Sequence, residues 1–84
     1  MKVILPSEAE SGVFRQEINT LRRNLGEVLK HSGEWVLIKG DNIVDYYKSF
    51  SEAITEGYDR FGREVFMTHE VGELTHTLVE ATAH

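Results

Sequence analysis

GEWVLIKGDNIVDYYKSFSEAITEGYDRFGREVFMTHEV, residues 33–71, is the stretch on which the fold turns. Residues 34–39 and 42–47 are short runs rich in Trp, Val, Leu, Ile and Tyr, the β-branched and aromatic types that suit a pleated, half-buried surface. Gly40-Asp41 separates them. Both residue types, and the Asn42 that follows, tolerate the positive φ of a two-residue hairpin turn, so the two runs are expected to pair antiparallel. Ser49-Phe50-Ser51-Glu52 then has the Ser-x-x-Glu spacing of a capping box. Behind it Phe50, Ala53, Ile54, Gly57, Tyr58 and Phe61 recur along one helical face. Gly62 supplies a stop, and such a helix is about 18 Å long. Gly57 lies inside the apolar stripe, which predicts a close approach of helix to sheet. Residues 63–71 read as a third strand with Val65, Phe66, Met67 and Val71. A strand–helix–strand connection of this length places its two strands in one sheet.

Upstream, residues 7–32 have a helical pattern. Phe14, Ile18, Leu21, Leu25 and Val28 recur at alternating spacings of four and three, and Leu29 thickens the stripe. The start is open between a Ser7 capping box and an N-cap at Ser11. Asn24-x-x-Glu27 offers an internal restart, and Gly26 weakens the middle. An unbroken helix here is about 30 Å long, longer than the sheet beneath it. Phe14 and Ile18 would then either fold back onto the same core or meet a second copy. Met1–Leu5 reads as a fourth strand or a lead-in. Beyond Gly72, residues 73–83 fit a short helix or a frayed tail. The expectation is therefore one α+β domain over residues 1–84, with elements in the order α-β-β-α-β, a three-stranded sheet, an ordered core over about 11–71 and a looser 72–84.

Composition narrows the function. Eighty-four residues make one domain with a small core. The net charge of −5 argues against nucleic acid, whose phosphates are met by clustered Lys and Arg. Arg22-Arg23 with Lys30 is interspersed with Glu17 and Glu27, the mark of a solvated helix face. The longest apolar runs fall far short of the ~18 residues of a membrane span. Met1–Leu5 is too short for a signal-peptide core, and with no cysteine there is no disulfide framework. A cytoplasmic protein is the expectation.

No catalytic motif emerges. There is no Gly-x-Ser-x-Gly elbow, glycine-rich phosphate loop or dinucleotide fingerprint, and no cofactor is implied. His69, Glu73 and His76 form the best metal-ligand cluster, because Glu73-x-x-His76 is a helical ligand spacing. Ligands from other elements are not evident. The aromatics fit packing and interfaces better than a base-stacking platform, which needs interleaved cations.

The strands are apolar on both sides. By alternation, Trp35 and Leu37 face one way, and Val36 and Ile38 the other. Val44 and Tyr46 oppose Ile43 and Tyr47, and Phe66 opposes Val65 and Met67. A sheet of this kind needs cover on both faces, from two helices or from a partner. This points to a homodimer or a protein partner, with Phe14, Ile18, Trp35, Tyr46, Tyr47 and Phe66 as the interface candidates.

Four segments carry a family resemblance: LKHSGEWVLIKGDNIV (29–44), SFSEA (49–53), GYDRFG (57–62) and VFM (65–67). Across about 25–71 the chain resembles a group of short, uncharacterised bacterial proteins. In them a helix leads into a Gly-x-Trp/Tyr-Val strand, a glycine turn, an Glu-Ala…Gly helix and a last apolar strand. Members are often encoded beside a retropepsin-like aspartic protease, which implies a protease-associated partner or regulator. The resemblance supplies no site residues. The combined expectation is a non-enzymatic protein-interaction module, self-associating or docking on a protein partner. The alternative is a small metal-binding protein or enzyme using His69, Glu73 and His76.

Overall fold

The computed structural model describes residues 14–80. The expected N-terminal strand and both candidate helix starts, Ser7 and Ser11, lie outside them. The described chain runs α1 (Arg15–Arg23), α2 (Leu25–Val28), a 3-10 turn (Leu29–His31), β1 (Trp35–Lys39), β2 (Asn42–Tyr47), α3 (Phe50–Phe61), β3 (Met67–Glu70) and α4 (Glu73–Glu80). The strand order is β2-β1-β3, and β1 is antiparallel to both neighbours. The strands flanking α3 therefore share a sheet and run parallel to each other, with β1 between them.

The hairpin and α3 form as their local chemistry dictates. Gly40 takes φ 58° in the turn. Ser49 Oγ accepts the Glu52 N–H at 3.1 Å. At the other end Gly62, φ 57°, closes the helix and donates its N–H to the Tyr58 carbonyl at 3.0 Å. Gly57 is buried because the sheet leaves no room there: a Cβ would sit 2.3 Å from the nearest atom of the Phe66 ring.

Three elements differ from expectation. The upstream helix is broken at Asn24, whose side-chain amide donates to the Thr20 carbonyl at 2.8 Å. Its backbone leaves the helical region there, with φ −114° and ψ 20°. Asn24 thus ends α1 and, at the restart expected there, stands at the N-cap position of α2 without a side-chain cap bond; the bend keeps Val28, Leu25 and Leu29 on the core. Second, β3 starts at Met67. The ladder continues past its end, where Val71 N–H reaches the Glu34 carbonyl and Gly33 N–H reaches that of Val71. Third, the core does not stop at residue 71. Helix α4 puts Leu78 and Val79 into it, 1% and 6% exposed. Arg22 of α1 donates to the Val79 carbonyl at 2.9 Å, a cation at the negative end of that helix.

The chain covers its own sheet. Val36, Ile38 and Met67 pack with Ile18, Leu21, Val28, Leu78 and Val79, so α1, α2 and α4 lie on one face. Trp35, Leu37 and Thr68 point the other way, toward α3, where Trp35 meets Phe50 with ring centroids 5.2 Å apart. Phe66 packs there against Tyr58 and Phe61. A register shift between Leu37 and Ile38 leaves Val44 as an extra residue in β2. This bulge resets the alternation. Ile43 and Tyr46 therefore share a face and pack on the same core, contrary to strict alternation.

Candidate functional site

Self-coverage revises the interface expected from sequence. Ile18 and Phe66 are 0% and 1% exposed inside the chain's own core, so neither is free to form an interface, while Phe14 is half-buried and packed against that core. The helix break keeps Ile18 over the sheet, and α3 closes over Phe66. Trp35, Tyr46 and Tyr47 remain half-buried. Tyr46 and Tyr47 lie on β2, the edge strand, and Trp35 stands beside Tyr47 on the central strand β1.

Strand β2 pairs with β1 on one side, and no described residue pairs with its other side. Aromatic rings flank that edge above and below. On the α1 face the His31 ring lies flat on Tyr46, with centroids 3.5 Å apart and planes 5° from parallel. His31 Nδ1 is 2.7 Å from the Glu34 carboxylate. On the α3 face Tyr47 stands opposite Trp35 in the ladder, and Trp35 leans on Phe50. At the edge itself the Asp45 carboxylate accepts the Tyr46 N–H at 2.8 Å. Both tyrosines hold their protons above the usual range. The causes for Tyr46 are burial, then the carboxylates of Glu27, Glu34 and Asp45. For Tyr47 they are burial, then Glu56 and Asp45, with Arg60 acting in the opposite sense.

The His31–Glu34 pair was legible only as an i, i+3 spacing. A carboxylate on Nδ1 orients an imidazole as acid–base dyads do. Among the described residues no hydroxyl bonds to the ring.

The metal candidates do not converge. His69 is buried, while Glu73 and His76 are exposed on α4. Among the described residues no group of three or more His, Asp, Glu or Cys side chains is placed to hold a metal ion. His69 instead faces Thr75, with Nε2 2.8 Å from the hydroxyl oxygen. That oxygen also accepts the Gly72 N–H at 2.9 Å. Nδ1 has no partner. Burial holds this imidazole down at about 4, far below the usual histidine range.

Glu17, expected on a solvated face, is 5% exposed. Its carboxylate accepts the Gly40 N–H at 2.9 Å, while Thr20 donates to the Gly40 carbonyl at 2.6 Å. These two side chains bolt α1 onto the hairpin turn. The adjoining depression, about 540 Å³, brings Arg15, Arg23 and Lys39 against Glu17 and Asp41. Arg23 is engaged by Asp41 and Lys39 by Glu64, so its charge is mixed.

No family model, curated protein or solved structure matches the chain. No helix among the described residues is long and apolar enough to cross a membrane.

Proposed function

We propose that the protein is a non-enzymatic interaction module that takes an extended segment of a protein partner along β2. The observation that carries this reading is an edge strand of six residues, unpaired on one side among the described residues and lined by half-buried aromatics on both faces. Strand addition draws affinity from main-chain hydrogen bonds and selectivity from the side chains on either face. The apolar sheet faces do not motivate a dimer, because the chain's own helices cover them; the edge does. Natural edges are guarded by charges and bulges. Here Asp45, Lys48 and the extra Val44 blunt indiscriminate pairing. The resemblance over 25–71 makes a retropepsin-like aspartic protease the first partner to try.

The test is selection of random extended peptides on the full chain, with binding mapped by amide chemical shifts. The expected result is shifts centred on residues 43–47 and on the Trp35 indole. Binders that map elsewhere, or strong exchange protection of both sides of β2 in the free monomer, refute the reading. Light scattering shows whether a second copy is the occupant.

A further inference from the structure

We propose that the segment β2 accepts is basic, with two consecutive Lys or Arg residues lying opposite Asp45 and Tyr46. This rests on the strand-addition reading and adds the chemistry of the partner.

Successive residues of an added strand point to opposite faces, so each of the two meets a different environment. Asp45 shares a face with Leu37, its ladder partner, and with Tyr47. It is exposed and forms no ion pair with any described residue; its carboxylate holds the Tyr46 N–H. A cation set opposite it meets a carboxylate, and its aliphatic stem lies along the Tyr47 ring, the arrangement long cationic side chains favour. The next residue falls on the other face, opposite Tyr46. Three carboxylates, Glu27, Glu34 and Asp45, act on that ring. Glu27 is shared with Lys30, but among the described residues Glu34 pairs only with His31. Arg60 also acts on the Tyr47 and Asp45 side, where Glu56 engages it; on the Tyr46 face an acidic segment would meet these carboxylates unfavourably. The chain's net charge of −5 adds a long-range bias of the same sign.

The experiment compares three peptides on one alternating apolar frame, differing in a central Lys-Arg, Ser-Gln or Glu-Glu pair. Each is titrated into the labelled full chain and read by shifts of β2 amides. The Lys-Arg peptide is expected to bind at least about tenfold more tightly than the Glu-Glu peptide, the scale of two exposed ion pairs exchanged for two repulsions. The gap should narrow in high salt and in Asp45→Asn. Equal binding by all three, or preference for Glu-Glu, overturns the charge inference and leaves strand addition standing. No shift at β2 with any of them overturns both. Concentration-dependent β2 shifts without peptide make a second copy the occupant and overturn the inference as well.

Discussion

Two helical glycines should respond to the same substitution with opposite signs. Gly26 and Gly57 both lie inside helices, where Gly→Ala gains up to ~1 kcal/mol of helix propensity. Around Gly26 an added Cβ meets nothing within 4 Å, so Gly26→Ala should show that gain. At Gly57 the Cβ would lie 2.3, 2.6 and 2.8 Å from three atoms of the Phe66 ring. Carbon–carbon contacts are optimal near ~3.5–4.0 Å, so the ring or the helix must give by about an ångström. The ring has nowhere to go: it is 1% exposed, with Tyr58 edge-on at 5.5 Å and Phe61 at 6.0 Å. Overpacking of this kind costs roughly 1–3 kcal/mol. Taking the upper half of that range and subtracting the propensity gain leaves Gly57→Ala about 1–2 kcal/mol less stable. For a domain of this size that lowers Tm by roughly 5–15 °C. The assay is thermal and urea unfolding of wild type, both single variants, Phe66→Leu and the Gly57→Ala/Phe66→Leu double variant. The smaller Leu should remove most of the Gly57→Ala penalty, as a coupling between touching residues. An unchanged or higher Tm for Gly57→Ala, or the same penalty in both backgrounds, refutes the argument from close approach.

Three further outcomes follow from buried polar groups. Thr68 Oγ1 is buried without a partner among the described residues, so Thr68→Val, which keeps the β-branched shape, should raise stability by about 1 kcal/mol in urea unfolding; a loss would show an unseen partner. His69 has a folded pKa of about 4 against an ordinary 6.5, so the unfolded chain binds more protons between those values. The neutral ring's contribution is whole above pH ~6.5 and falls by up to about 3 kcal/mol as pH drops toward 4; Tm measured against pH should flatten over that interval in His69→Gln. Glu17→Ala strips the Gly40 N–H of its acceptor and should cost about 1–3 kcal/mol, while Glu17→Gln, which keeps an acceptor oxygen, should cost much less by the same unfolding assay.

The parts of the fold that were legible are those whose cause is local. The Ser49–Glu52 cap, the Gly40-Asp41 turn and the Gly62 stop each involve residues within a few positions of one another, and each stands where it was expected. The parts that were not legible depend on residues far apart. Nothing near Glu17 announces that its carboxylate will be claimed by Gly40, twenty-three positions away. A helical period without a cap cannot say whether the helix Glu73–Glu80 docks, since the answer lies in Ile18, Leu21 and Arg22. The bulge at Val44 is likewise a property of two paired strands, which is why alternation misassigned Ile43. Residue type alone singled out Trp35, Tyr46 and Tyr47, which the fold leaves half-buried on β1 and β2. The same rule overreached at Phe66 and Ile18, because apolar residues that cover a sheet and apolar residues that await a partner have the same composition.

The guanidinium of Arg22 on the Val79 carbonyl joins the beginning of the described chain to its end. With α1 and α4 seated side by side, each supplies wall for the other, and neither has a complete hydrophobic neighbour until both arrive. A fragment ending at residue 71, the boundary that residue pattern alone would suggest, should leave Ile18 and Leu21 facing water and be prone to clump. Any shortened version meant to isolate the β2 edge must therefore retain the final helix, although it stands on the far side of the sheet from β2's open flank in strand order.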